Sequence, residues 1–331
     1  MRRSLSIVFL LLAGFCTLAA TDLPQESPYL QNIRQLTFPS MGFEKAGEAY
    51  FSPDSQTILF QAVPQGQSDY QIYTMSLEFK EPKMVSLGIG ACTCAYFHPN
   101  GEKIIFASSH SDPNPQTEKD PHLGKYVWDL TPYMNIYEAN PDGSDLRALT
   151  EGSSYHAECA YSPDGSQIVF ASNLDGSMNL YRMDSDGSNL FQITHTQGCY
   201  NGGPFFSPNG ENIIYRADPD HPHYLQIYLT DLEGKEVIQI TDNAAVNWAP
   251  YWHPNGKVIA FTTSLQGHHA YEIYLLNVDT KKSFRLTHHL GFDGLPVFNR
   301  EGTQLLWTSK RGEDGTCQVF LADFILPEEL N

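Results

Sequence analysis

Basic residues are scarce. The 331 residues include 20 Lys and Arg against 38 Asp and Glu, a formal net charge of −18. A field of that sign repels nucleic-acid phosphates and anionic lipid headgroups, so nucleic-acid binding is not expected. Cysteine is sparse too: beyond Cys16 the chain has Cys92, Cys94, Cys159, Cys199 and Cys317. An odd set does not describe a disulfide scaffold, and a chain this long buries a core without staples. One bridge in an oxidising compartment stays open, with no pair assigned. After the first residues no stretch approaches the roughly 20 apolar residues of a membrane span. Gly-x-Ser-x-Gly and His-Glu-x-x-His are also missing, which gives nucleophilic or zinc-helix hydrolysis no foothold and leaves no residue to name as catalytic.

The first residues read as a targeting segment. Arg2 and Arg3 precede an apolar run from Leu5 to Phe15, and Thr17, Ala19 and Ala20 supply small residues for cleavage. Residues 1–20 are expected to be a signal peptide and 21–32 a linker, which sends the chain to the periplasm or outside the cell. Lipidation at Cys16 is the weaker alternative, because bulky Phe15 stands before the cysteine. Losing Arg2 and Arg3 would take the charge from −18 to −20.

What is present is repetition. Gly203-Pro204-Phe205-Phe206-Ser207-Pro208-Asn209-Gly210 is a short apolar strand running into a tight turn. The phrase recurs at Ala49–Asp54, Ala95–Asn100, Cys159–Asp164 and Pro250–Asn255, with a worn copy at Pro296–Glu301. Proline fixes its own φ, Asp or Asn bonds locally, and glycine accepts positive φ, so each phrase ends in a turn. Second strands follow, such as Ile58–Gln61 and Ile213–Tyr215. Third strands alternate with period two, as in Tyr271-Glu272-Ile273-Tyr274, and short outer strands such as Phe284–Leu286 complete the unit. A period of about 40–50 residues marks a propeller or solenoid. The Asp-rich hairpin turns lack the carboxylate spacing of a calcium loop and read as plain turns.

The count of outer strands shows how the ring closes. The last unit, Leu295 to Phe324, supplies three strands, while Ile33-Arg34-Gln35-Leu36-Thr37 has outer-strand form and no unit before it. It is expected to pair with the Cys317–Ala322 strand, removing an exposed edge. The predicted fold is all-β: a six-bladed β-propeller of four-stranded antiparallel blades over residues 33–326. These repeats resemble those of the TolB-like family (the WD40-like, PD40 class) over nearly all of the chain after its leader. The resemblance implies an envelope propeller. TolB carries an α/β domain before its propeller, and about a dozen residues separate leader from closing strand here, so the chain is not expected to be TolB itself. Dipeptidyl-peptidase relatives add a hydrolase domain that this sequence does not show.

Two features locate a candidate site. Counting back seven and five residues from each turn proline, positions on one side of a regular strand, gives Ala46 and Glu48, Cys92 and Cys94, His156 and Glu158, Asn201 and Gly203, Asn247 and Ala249. The sixth unit adds Asp293 and Leu295. A channel rim of Glu48, Cys92, Cys94, His156, Glu158, Asn201, Asn247 and Asp293 would be polar and rich in ligand atoms. Secondly, Pro99 and Pro163 are 64 residues apart where other spacings are 45 or 46. The surplus, about residues 110–132, includes His110, Asp112, Glu118, Asp120, His122, Tyr126, Trp128 and Asp129 and is expected on the same face as the rim.

His156, Glu158 and Cys94 are the candidate ligands of a divalent metal in the channel. The pairs His268-His269 and His288-His289 could join that face. The leading expectation is a monomeric binding scaffold of the bacterial envelope, holding a protein or small ligand at this mouth. The alternative is a metal-assisted lyase or hydrolase acting there on a saccharide or peptide, with Glu48, Glu158 and Asp293 as its carboxylates.

Overall fold

The computed structural model describes residues 26–114, 130–220 and 223–331. The leader, and His122, Tyr126 and Trp128 of the insertion, lie outside the described residues. Six antiparallel four-stranded sheets form a propeller. The inner strands are Phe43–Phe51, Cys92–Phe97, His156–Tyr161, Asn201–Phe206, Asn247–Trp252 and Asp293–Phe298, opening blades 1 to 6 in that order. In blades 1 to 5 the chain runs outward through three further strands and returns to the start of the next inner strand.

The turn after each inner strand works as its residues dictate. In blade 3, Ser162 donates to Asp164 at 2.6 Å and the Ser166 amide donates to the same oxygen at 3.0 Å. These bonds hold the Asp164 carboxyl below the usual range. Gly165 follows at φ +75°, and a Cβ there would collide with the His98 ring of the preceding blade. Glycine thus serves both the turn and the seam between blades. The middle of each second strand is apolar and buried, as with Ile58, Leu59 and Phe60 at no more than 1 % exposure. Both of their faces pack against neighbouring strands' side chains, which is why they read as continuous apolar runs.

A polar clasp recurs inside every blade. A Ser or Thr beyond the outer strand bonds the amide of the third strand's second residue: Ser86 to Ile72, Thr150 to Ile136, Thr194 to Leu180, Thr241 to Ile227 and Thr287 to Ile273. The third strand opens on a buried side chain at this clasp, namely Gln71, Asn135, Asn179, Gln226, Glu272 and Gln318. Blade 6 obtains its outer strand and its clasp from the other end of the chain. Leu30–Gln35 pairs antiparallel with Gln318–Phe324, beginning at Leu30 rather than Ile33. Thr37 then donates to Gln318 at 2.7 Å and accepts from the Val319 amide at 2.8 Å. The closure expected from the sequence is present in full.

Candidate functional site

A β-bulge interrupts every inner strand. Two residues of His156–Tyr161 oppose a single residue of the second strand, between the Ala157–Ala171 and Ala160–Val169 pairs. The bulged residue has left-handed φ in each blade: Glu48 at 44°, Cys94 at 54°, Glu158 at 57°, Gly203 at 57°, Ala249 at 48° and Leu295 at 56°. Only one of the six is glycine, so the backbone bears strain of about 1–3 kcal/mol at each of the others. A bulge re-aims side chains, and here it splits the two positions that a regular strand would have placed together.

Four of the seven-back residues bond within their own blades, correcting the expected rim. Cys92 donates to Ser108 at 3.2 Å, the Thr263 hydroxyl donates to Asn247 at 2.7 Å, and His156 Nδ1 lies 2.9 Å from Ser172 Oγ. The Asn201 side-chain amide reaches back to the preceding blade instead, donating to Met178 O at 2.9 Å. Asp293 accepts from Trp307 Nε1 at 3.0 Å and from Arg311 at 2.6 Å. His156 is 4 % exposed and packs edge-on against Phe170. Its burial draws the imidazole pKa down to about 4.

The five-back residues converge on the axis instead. Glu158 of blade 3 is 2.5 Å from Arg216 of blade 4, accepts from Tyr200 Oη at 2.7 Å and accepts from the Gly203 amide at 2.6 Å. Gly203 is what admits this pair, since a Cβ there would strike the guanidinium. Glu48 of blade 1 accepts from Tyr50 at 3.3 Å and from the Cys94 thiol. Burial holds the Glu48 carboxyl above its usual range; the Glu158 charge adds to this, against the pull of the Cys94 bond and of Arg216. Burial raises the Cys94 thiol further, with both carboxylates adding to it. This axial cluster therefore sets a carboxyl whose burial favours protonation beside a carboxyl bound to a guanidinium. Arg216 went unnoticed in the sequence. Its signal was that the matching second-strand positions carry Gln61, Ala107, Ala171, Thr262 and Thr308, all uncharged.

Below this cluster aromatic rings close the axis. Tyr96 and Tyr251 belong to opposite blades, and their hydroxyls meet at 3.1 Å across the axis. Tyr50 and Phe205, also from opposite blades, fill the remaining space, with ring centroids 5.2 Å (Tyr50 to Tyr96) and 5.0 Å (Phe205 to Tyr251) apart. Beyond this plug a funnel of about 390 Å³ opens toward the turn prolines, lined by Pro53, Phe97, Tyr161, Phe206, Trp252 and Arg300 among others.

The proposed metal ligands do not meet. His156 faces Ser172 in its own blade, while the Glu158 carboxylate is taken by Arg216, Tyr200 and Gly203. Among the described residues no three His, Cys, Asp or Glu side chains gather in a metal-holding arrangement. The Cys94 carbonyl accepts from Cys159 at 3.5 Å, and among the described residues all five cysteines are free thiols. The insertion springs from the His156 end: its flanks bond there through Ser109 N to Ala91 O at 2.9 Å and His156 N to Met134 O at 2.8 Å.

Similarities to known proteins agree with this architecture. Dipeptidyl-peptidase 5 of Porphyromonas endodontalis is 25% identical over 45% of this chain and 20% of its own length. Oligogalacturonide lyase of Pectobacterium atrosepticum is 30% identical over 27% of this chain and 22% of its own length. The chain thus matches about a fifth of each relative. In fold it is similar to a putative TolB from Agrobacterium tumefaciens, with TM-score 0.58, 20% identity, and coverage of 85% of this chain and 91% of that one. The TolB beta propeller domain family (PD40) matches residues 127–225 and 220–325, more than half of the 331. The chain belongs to the TolB beta propeller family.

Proposed function

We propose that this protein is an exported binding propeller of the bacterial envelope, engaging a protein or small ligand with the face that bears the blade-2 insertion. The carrying observation is where exposed apolar side chains fall. Of fifteen large hydrophobic residues exposed among the described residues, eight lie in connections on that face, including Leu87, Ile89, Leu130, Leu174, Leu265 and Leu290. Two, Phe79 and Ile325, lie on the opposite face, and the rest lie on or beside outer strands. Concentrated exposed apolar surface marks interaction sites. The funnel on the other face is weaker support, because its walls are the turn and aromatic residues that every blade repeats. No helix among the described residues is long and apolar enough to cross a membrane.

The test is site-specific photocrosslinking in intact cells. Benzoylphenylalanine at Leu87, Leu265 or Leu290 is expected to give discrete adducts, and the same group at Phe79 or Ile325 none. Adducts confined to the Phe79 side, or absent from every position, would overturn the assignment.

One observation favours a second reading, hydrolase or lyase chemistry on a saccharide or peptide. Burial favours the protonated form of the Glu48 carboxyl, and the Arg216-bound Glu158 carboxyl is its neighbour on the axis, a pair of the kind that general acid–base catalysis uses. Purified protein that turns over oligogalacturonides, with loss of turnover in Glu48→Gln, would support it. Equal turnover in the variant, or none in the wild type, would remove it.

A further inference from the structure

Carboxylates without cations gather on one half of the insertion-bearing face. The connections of blades 3 and 4 there, with the steps into and out of these blades, are residues 149–155, 173–178, 193–200, 218–220, 223–225 and 240–246. They contain Glu151, Asp175, Asp218, Asp220 and Asp242 and not one Lys or Arg. The other described connections of this face carry Lys310 and Arg311 against Asp69, Asp112, Glu313 and Asp314. The excess of acid on the face is therefore concentrated over blades 3 and 4.

Glu151, Asp175, Asp220 and Asp242 are exposed, and none of the five carboxylates has an ion-pair partner within 4.0 Å among the described residues. Arg216, the buried guanidinium of the axial cluster nearby, is taken by Glu158. Asp218 accepts from the Tyr200 and His223 amides at 2.7 and 2.8 Å, and Asp175 accepts from Gln192 Nε2 at 2.7 Å. Such bonds fix a carboxylate without cancelling its charge. Among the described residues no three of these groups gather in a metal-holding arrangement. Charge spread over separate loops suits several cations along a segment, whereas a calcium ion would need its oxygens converging. Two apolar side chains stand beside the acids: Leu174, next to Asp175, and Tyr224, next to His223, are each nearly half exposed. A metal ion or a free polyamine would leave both uncovered, and a polypeptide can cover them while supplying the cations.

We propose that the blade 3 and 4 half of the partner-binding face receives a basic segment of a protein, whose Lys or Arg side chains meet Glu151, Asp175, Asp220 and Asp242 while its apolar residues cover Leu174 and Tyr224. The inference rests on the reading that this face binds a partner. Complementary charge of this kind steers the encounter and fixes which partner is accepted.

The probe is the peptide acetyl-Lys-Leu-Lys-Leu-Lys-amide, titrated calorimetrically into the purified full chain at pH 8, where histidine is largely neutral. Saturable binding is expected, weakened about tenfold when Glu151→Gln, Asp220→Asn and Asp242→Asn are combined, the scale of three exposed ion pairs. Combining Glu78→Gln, Glu81→Gln and Glu329→Gln removes the same charge from the opposite face and is expected to leave the affinity unchanged. All six side chains are exposed, and the melting of both variants is checked against the wild type. Acetyl-Lys-Gly-Lys-Gly-Lys-amide, which lacks the apolar residues, is expected to bind several-fold more weakly. No binding by wild type, equal loss in the two triple variants, or spermine bound as tightly as the leucine peptide would each overturn the proposal. Crosslinks at Leu87 that persist in cells while the peptide fails to bind would sink the basic segment but not the face. Loss of both would sink the two together.

Discussion

Replacing Glu272 by Gln should stabilise this protein at pH 8 and leave it nearly unchanged at pH 5. Five clasps open on an amide, whereas blade 5 uses a carboxyl of 0% exposure. Burial raises that carboxyl from 4.5 to about 7, with the Asp293 charge adding a little, against the hydrogen bonds of Thr287 and Arg285. A folded-state pKa above the unfolded value gives stability that is complete below about pH 4.5 and lost as pH rises through 7. That displacement corresponds to about 3 kcal/mol between the two ends of the window. Arg285 is 28% exposed, so losing its ion pair in the variant offsets only part of the gain. Urea unfolding of wild type and Glu272→Gln at pH 5 and pH 8 measures the effect as a difference of differences, in which other titrating groups cancel. The variant should gain about 2–3 kcal/mol at pH 8 over its pH 5 value. The same stability difference at both pH values, or a variant less stable at pH 8, would refute the reasoning.

Arg216→Gln should destabilise by about 3–5 kcal/mol, because it strands a buried carboxylate, and adding Glu158→Gln should recover much of that loss in chemical denaturation. Thr37→Ala and, in blade 3, Thr194→Ala should each cost about 1–3 kcal/mol and lower a single melting transition of the whole propeller, since both remove the same clasp. Cys94 and Cys159, whose thiols burial raises well above the ordinary range, should resist iodoacetamide at pH 8 until denaturant is added, as mass spectrometry of alkylated peptides would show.

The blades were legible because their signals are local: a proline turn, an apolar second strand and a period of two. The closure followed from counting outer strands. The direction of the channel residues did not follow, because counting by twos assumes a regular strand and the bulge adds one residue per blade. Nothing in Glu48, Cys94 or Glu158 announces left-handed φ, and Gly203 was the one hint. Arg216 and Glu272 were visible only as departures from their repeats, a comparison that needs each residue's place in its strand. The paired His156 and Glu158, adjacent on paper, part company because one side chain lies within its sheet and the other crosses a seam.

The hydroxyl contact of Tyr96 with Tyr251 has a consequence for traffic. With four rings wedged across the axis, the ring of blades is not a conduit, and water or solute arriving at one mouth has no path to the other. Whatever settles over the Glu48, Glu158 and Arg216 cluster and whatever enters the proline-lined funnel therefore occupy separate rooms. Any communication between the two must pass through the sheets themselves, by way of the tyrosines that form their shared wall.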